Sequence, residues 1–280
     1  MNLILQGLNP DPATIHRIAA MANAATPIQT KETAWRCECT QPSADTKAAI
    51  EAACLSAELD CTFVEKQHRL SDFKLVAMDM DSTLITIECI DEIADMQGLK
   101  PQVAEITEAA MRGELEFSES LQRRVALLKG LDAAALQRVY DERVQPSPGA
   151  HAMLKTLQAA GMKTLLVSGG FTFFTGRLKA ELGLDYAHSN TLEIVDGRLT
   201  GKVLGTIVDA EEKKNTVERV CRELGIPPSQ AIVMGDGAND LRMMSIAGLS
   251  VAFRAKPVVR AQADVALNFM GLDGVLALFG

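Results

Sequence analysis

Aromatic residues make up only 4% of this 280-residue chain: one Trp, two Tyr and nine Phe. So sparse a set offers few platforms on which unpaired bases stack. A basic run is missing too, because 28 Lys+Arg are scattered among 36 Asp+Glu for a net charge of −8. Neutralising a phosphate backbone takes clustered Lys and Arg, so nucleic acid is excluded as a partner. No apolar run reaches the roughly 20 residues that span a bilayer. Met1–Asn9 lacks a basic stretch, and the Ala-rich segment 19–25 reads as a helix face rather than a leader cleavage zone. No membrane partner is expected. The six cysteines, Cys37, Cys39, Cys54, Cys61, Cys89 and Cys221, form no C-x-x-C pair. They read as small core hydrophobes in a reducing cytoplasm. There is no internal repeat and no low-complexity tract.

What is present is an ordinary globular composition, 48% hydrophobic and 23% charged. Its length suits about two domains. In residues 1–70, strands are expected at Asn2–Gln6, Thr33–Cys39 and Cys61–Glu65. Helices are expected after Asp11-Pro12 and over Ala44–Glu58. That order predicts a small α/β sandwich with its helices on one face, joined to the rest by a polar linker at Lys66–Asp72. From residue 73 onward a second pattern begins. Phe73–Met78 is an apolar run that ends abruptly in acidic residues, as a buried parallel strand does at its C-terminal edge. Four helical stretches follow without a strand: Glu88–Met96, Pro101–Met111, Ser118–Leu128 and Asp132–Glu142. This predicts a helical cap over 87–145, inserted into a core of 73–86 and 146–280. Past Pro146, strands and helices alternate, so the core is read as a mainly parallel α/β sheet with helices on both faces.

Ligands in such sheets bind beyond the carboxyl ends of the strands. Three expected strands end there in reactive residues. One runs into Asp79-Met80-Asp81-Ser82-Thr83, the next into Ser168-Gly169-Gly170, and the third into Gly235-Asp236-Gly237-Ala238-Asn239-Asp240. Lys213-Lys214 opens a helix. If the strands are neighbours, these pieces make a phosphoryl-transfer pocket. A carboxylate attacks phosphorus, and its repulsion for the phosphate is offset by a divalent cation. Oxygens of Asp79, Asp236 and one backbone carbonyl suit Mg²⁺. Lys213 adds positive charge, Ser168 and the Gly169-Gly170 amides hold phosphate oxygens, and Asp81 sits two residues on as a general acid.

Competing readings are weaker. Asp79-x-Asp81-x-Thr83 starts like a calcium loop, but Leu84 and Ile90 occupy the positions that need Gly and Glu. Gly235-x-Gly237-x-x-Asp240 half-matches a dinucleotide fingerprint, with carboxylates where a pyrophosphate would sit. Taken singly, each piece is an ordinary turn or a solvated lysine; their order and combination are not.

Together these motifs resemble those of the haloacid dehalogenase-like (HAD) phosphotransferases, and within that family the phosphoserine phosphatases. The likeness extends to Glu88-Cys89-Ile90-Asp91-Glu92, to Met111–Phe117 with Ser120–Val125, and to Ala255-Lys256-Pro257. The resemblance implies a HAD-like Rossmannoid core with an α-helical cap. It also implies a Mg²⁺-dependent enzyme that hydrolyses O-phospho-L-serine to serine and phosphate through an aspartyl-phosphate, the last step of serine synthesis. Under it Asp79 is the nucleophile and Asp81 the acid and then the base. Asp79, Asp236 and the Asp81 carbonyl are the metal ligands, and Asp240 supports Lys213 or a metal-bound water. Ser168, Gly169 and Asn239 meet the phosphate, Glu88 the amino group and Arg124 the carboxylate, with Met111 and Phe117 forming an apolar lid. The spacing to Val217 favours Lys213 over Lys214. Two alternatives stay open: another small phosphate such as phosphohomoserine or a sugar phosphate, and an amino-acid sensor with a vestigial phosphatase. Residues 1–70 resemble ACT-like regulatory modules, which implies a regulatory or dimerisation unit and leaves room for a homodimer.

Overall fold

The computed structural model describes residues 1–64, 69–111 and 114–279, residue 111 by its backbone alone. Of the expected linker, 66–68 lie outside the described residues.

The chain opens with β1 (Asn2–Gln6), α1 (Pro12–Met21), β2 (Ile28–Lys31), β3 (Ala34–Glu38), α2 (Ala44–Ser56) and β4 (Asp60–Val64). Asp11 starts α1 by accepting from the Thr14 amide at 2.9 Å, and Pro12 occupies the first turn, where no amide bond is lost. Ser43 caps α2 in the same way, at 3.2 Å from Thr46 N. The strands form an antiparallel sheet in the order β2-β3-β1-β4. Strand β2 was not expected: all four of its residues are exposed, so it has no apolar pattern to announce it. Leu3, Leu5, Trp35 and Cys37 pack one face of the sheet on Ile15, Ile18, Ile50 and Cys54 of the two helices.

The other face meets the second sheet through apolar and polar contacts together, with Ile4, Ala34 and Val64 joining its buried cluster. Asp60 is 1% exposed, and its carboxylate accepts from the amides of Asn268 at 2.7 Å, Phe269 at 3.1 Å and Met270 at 2.9 Å. Arg36 Nη2 donates to the carbonyls of Ala277 and Leu278, each at 3.3 Å.

The second part runs β5 (Leu75–Met78), α3 (Cys89–Asp95), α4 (Lys100–Met111), α5 (Phe117–Leu127), α6 (Ala134–Arg143), α7 (Ala150–Ala159) and β6 (Lys163–Phe171). It continues with α8 (Thr172–Leu182), β7 (Tyr186–Val195), β8 (Arg198–Leu204), α9 (Ala210–Leu224), β9 (Ala231–Gly235), α10 (Leu241–Met244), β10 (Leu249–Phe253), α11 (Pro257–Arg260) and β11 (Val265–Leu267). The sheet order is β11-β10-β9-β5-β6-β7-β8, parallel except for the β7–β8 hairpin. Buried clusters on both faces confirm a doubly covered sheet. The hairpin turns at Asp196-Gly197, both at positive φ, as that dipeptide allows. The chain builds outward from β5 through β6 to β8, then returns to the opposite side at β9. β5 is therefore the switch point where such sheets hold ligands.

Helices α3–α6 stand over this edge. The two crossings between them and the sheet are tied together: Ile85 bridges Pro146, and Thr86 N donates to Gln145 O at 3.0 Å. A second tie joins the α5–α6 loop to the hairpin, through Gly130 N to Leu199 O and Ala133 N to Gly197 O, both 2.8 Å. Gly201, at φ +84°, lets β8 approach Ala126 of α5; a Cβ there would lie 3.3 Å from its Cα. Arg143 of α6 clamps Glu92 and Asp95 of α3. Among the described residues no helix is long and apolar enough to cross a membrane.

The Asp60 contact predicts a measurable loss. Asp60→Ala leaves three backbone donors without their acceptor, so chemical denaturation should show about 2–4 kcal/mol of destabilisation. Asp60→Asn keeps one acceptor oxygen and should lose about half as much or less.

Candidate active site

The three motif-bearing strands are neighbours, in the order β9-β5-β6. Their carboxyl ends place Asp79, Ser168 and Asp236 on one edge of the sheet. Asp79 follows β5 directly and is 5% exposed. After it the chain makes one wide turn, closed by Leu84 N to Asp79 O at 3.3 Å and Ile85 N to Met80 O at 3.0 Å. Ser82 sits in the turn at φ +55°. The turn carries Asp81 back over the site, where its Oδ1 accepts from Cys89 N at 2.9 Å.

Lys213, on the first turn of α9, is 0% exposed. Its ammonium lies 2.8 Å from Asp79 Oδ1 and 2.8 Å from Asp240 Oδ1. Asp79 Oδ1 also accepts from Met80 N at 2.7 Å, so both contacts fall on one oxygen and Oδ2 receives neither. Lys214 turns outward to Glu211 at 3.6 Å and Glu218 at 4.0 Å. Asp240 Oδ2 accepts from the amides of Asp236 at 3.2 Å and Gly237 at 3.0 Å. Gly235 has to be glycine, since a Cβ would overlap the Asp240 carboxylate. Asp79, Asp236 and Asp240 each offer an oxygen within 4.8 Å of the others.

Three carboxylates and one ammonium, all buried except the partly exposed Asp236, form an unbalanced set. Burial, then the Asp240 charge, pushes Asp79 well above the usual carboxylate range, against the pull of Lys213. Asp236 is pushed up to about 7, by burial and then by Asp240. Asp81 is likewise raised to about 7, by burial and then by Glu88. Burial works to lower Lys213, but the carboxylates of Asp240 and Asp79 outweigh it and hold the ammonium charged. The cluster still carries surplus negative charge, and its hard oxygens fit a small divalent cation.

The cap supplies the remaining groups. Glu88 begins α3 and accepts from Ser82 Oγ at 2.7 Å. Arg124 of α5 donates to Ser120 O at 3.4 Å. Burial lowers its pKa, opposed by the nearby charges of Asp91, Glu88 and Asp81. A cation and an anion of the cap therefore share one approach to the site. Phe117 reaches down onto the C-terminal end of β6: a Cβ on Gly169 would come 2.7 Å from its Cζ. Ser168 is buried and its Oγ accepts from Gly170 N at 2.8 Å. Asn239 shares the Ala238–Asp240 turn with Asp240, its side-chain oxygen lying against Gly237. The side chain of Met111 is outside the described residues.

Two residues at the site escaped the sequence reading. Thr83, 0% exposed, sends its hydroxyl to Asp236 Oδ1 at 3.4 Å; it stood in the first motif but drew no role. Asn190, 1% exposed, bonds Gly169 O at 2.8 Å. A lone Asn far from every motif gives no local signal.

Comparison with known proteins agrees with this geometry. The haloacid dehalogenase-like hydrolase family matches residues 73–248, and the chain belongs to that family. It is 59% identical over 215 residues to a phosphoserine phosphatase of Polaromonas sp., across 75% of this chain and 91% of that one. A probable phosphoserine phosphatase from Vibrio cholerae, solved unliganded, superposes with a TM-score of 0.83 at 38% identity, over 99% of this chain and 85% of its own. A substrate-bound phosphoserine phosphatase complex gives a TM-score of 0.70 at 38% identity, covering 74% of this chain and 99% of that one.

The two lysines make opposite predictions. Lys213→Met removes the ammonium shared by Asp79 and Asp240 and should lower kcat by about 10²–10³, in the range for losing a fixed charge-stabilising donor. Lys214→Ala should leave kcat within about twofold, as for a solvated surface pair. Steady-state phosphate release from both variants checks this.

Proposed function

We propose that the chain is a Mg²⁺-dependent phosphoserine phosphatase, hydrolysing O-phospho-L-serine to L-serine and inorganic phosphate. The observation that carries it is Asp79 at the end of the central strand, with Lys213 at 2.8 Å and Asp236 and Asp240 beside it. Glu88 and Arg124 of the cap supply opposite charges for an amino-acid head group. The name shared by a 59% identical relative and by the substrate-bound neighbour supports the same substrate.

In the first step Asp79 Oδ2, the oxygen spared by Met80 N and Lys213, attacks phosphorus. The bond from phosphorus to the serine oxygen breaks, and Asp81 gives that oxygen its proton. In the second step Asp81 takes a proton from water as the water oxygen attacks phosphorus, releasing phosphate and restoring the Asp79 carboxylate. Ser168 and the Gly169 amide hold phosphoryl oxygens, while the Gly170 amide, which the sequence also offered for them, is spent on Ser168 Oγ; Lys213 offsets charge that builds on those oxygens. Asp79, Asp236 and the Asp81 carbonyl would hold Mg²⁺, which supplies charge neutralisation between nucleophile and phosphate. Glu88 receives the serine ammonium and Arg124 its carboxylate, while Phe117 closes over the end of β6 and excludes water.

We read residues 1–70 as an ACT-like regulatory or dimerisation unit and 73–280 as the catalytic unit, with 87–145 as its cap. The β-α-β-β-α-β order of the first sheet supports that reading, and the exposed edge strand β2 offers a place for a second copy to pair. A cytoplasmic setting suits the buried thiols of Cys37, Cys54, Cys89 and Cys221.

Release of phosphate from O-phospho-L-serine, with Mg²⁺ and with EDTA, tests the function. Fast release should require Mg²⁺ and disappear in Asp79→Asn, whose amide cannot attack phosphorus; activity retained in that variant would refute the nucleophile. Arg124→Ala should raise KM for phosphoserine about tenfold or more, as loss of a charged hydrogen-bond partner does. It should barely change turnover of p-nitrophenyl phosphate, which has no carboxylate. Equal losses on both would mean that Arg124 does not read the head group.

A further inference from the structure

β6 and β7 pair in parallel up to Val167 and His188, and pairing resumes at Phe171 and Asn190. Between them Ser168-Gly169-Gly170 leaves the ladder as an irregular stretch of β6, with Gly170 lying against Met80 and Asp81. Here the Asn190 side chain takes over from backbone pairing. Its Nδ2 donates to Gly169 O at 2.8 Å, and its Oδ1 accepts from Val208 N at 2.9 Å. A carbonyl only accepts and an amide N–H only donates, so the orientation of the Asn190 amide is fixed by its partners.

The consequence lies in the peptide between Gly169 and Gly170, which is held at both ends. Its C=O is bound by Asn190 and its N–H donates to Ser168 Oγ at 2.8 Å. Because Ser168 Oγ accepts there, its own hydrogen is turned to another acceptor. A bound phosphoryl oxygen is the acceptor that hydrolysis brings. The same peptide lies against Asp81: a Cβ on Gly170 would come 2.7 Å from Asp81 Oδ2. On the other side, Val208 immediately precedes Asp209, which caps α9 by accepting from Glu211 N at 3.0 Å and Glu212 N at 2.9 Å. Asp209 O also accepts from Lys213 N at 2.9 Å. One buried amide thus fixes both the end of β6 that carries Ser168 and the start of the helix that carries Lys213.

We propose that Asn190 is a positioning residue for the phosphoryl group, acting through the Gly169–Gly170 peptide and the Ser168 hydroxyl. The proposal rests on the phosphatase reading of the site and adds a residue that touches no substrate atom. It places the effect on the phosphate and not on the serine head group.

Asn190→Asp is the discriminating variant. It keeps an oxygen for Val208 N and replaces the donor to Gly169 O with a second acceptor; Asn190→Ala removes both bonds without adding charge. In the full-length protein with Mg²⁺, calorimetry with inorganic phosphate should show affinity weakened about tenfold or more in each. kcat/KM should fall by similar factors on phosphoserine and on p-nitrophenyl phosphate. In a Ser168→Ala background, Asn190→Asp should cost less than about threefold further on p-nitrophenyl phosphate, because coupled residues do not add. Thr175→Val, which breaks a buried 2.7 Å pair with Ser189 one residue away, controls for loosening of β7 and should leave phosphate affinity unchanged. Phosphate affinity within twofold of wild type in folded variants would overturn the proposal. So would an undiminished loss in the Ser168→Ala background, or failure of both Asn190 variants to fold, which would make Asn190 a framework residue. A wild-type protein active on p-nitrophenyl phosphate and not on phosphoserine would refute the serine reading and leave this test intact.

Discussion

Lys213 stands between Asp79 and Asp240 with no exposure to solvent, and the catalytic edge depends on it. Removing an ion from water costs several kcal/mol even after relaxation, so a buried carboxylate set without a cation would not persist as charged groups. The ammonium lets two carboxylates remain side by side, and the backbone amides of Asp236, Gly237 and Met80 absorb more of the charge. Asp236 and Asp81 are still displaced to about 7. Folding has assembled a site that favours added positive charge, which is the physical requirement for bringing a phosphate dianion against a carboxylate nucleophile.

That requirement explains why so much of the site could be read from the chain. Carboxylates at the ends of apolar runs are costly in a core, and the sheet has to place them at its carboxyl edge. Asp79, Ser168 and Asp236 each end such a run, and adjacency of β9, β5 and β6 is what unites them. The helical insertion was legible for a similar reason: four amphipathic stretches with no strand between them can bury their apolar faces only against one another and the core. Strand β2 was not legible because its residues are exposed on both faces. The first half of β7 has no comparable signal, because Tyr186, Ala187 and His188 are only half-buried and alternate weakly. Asn190 and Asp60 lie deeper in the problem. Each is a single polar residue whose partners are distant in sequence, Val208 and Gly169 for one and the amides of 268–270 for the other. Local pattern has no access to such pairs.

The contact between the two sheets adds polar anchors to an apolar seam that contains Ile4, Ala34 and Val64. The face that β1, β3 and β4 turn to the second sheet includes Asp60 and Arg36, and it uses them to satisfy main-chain groups at the end of the chain. An apolar face would bury as much area but would leave the amides of 268–270 without acceptors, a larger penalty than the hydrogen bonds themselves repay. The pairing is consequently specific in position: Asp60 fits one stretch of backbone and Arg36 another, so a shift along the interface would orphan both. The stretch that Asp60 grips follows directly from β11, at the far edge of the catalytic sheet.

The cap is constrained in a comparable way. Its crossings are joined at Ile85 and Pro146, and the α5–α6 loop is bonded to the β7–β8 hairpin. The hairpin grows from the same β7 whose Asn190 holds Gly169 of β6. Arg124 and Phe117 lie on α5, whose end is the part so anchored, whereas Glu88 sits beside the crossing itself. Glu88 and Arg124 are therefore fixed by different attachments. A head group that carries a charge of each sign suits this frame, because Glu88 and Arg124 offer it one partner of each sign on two separately anchored elements.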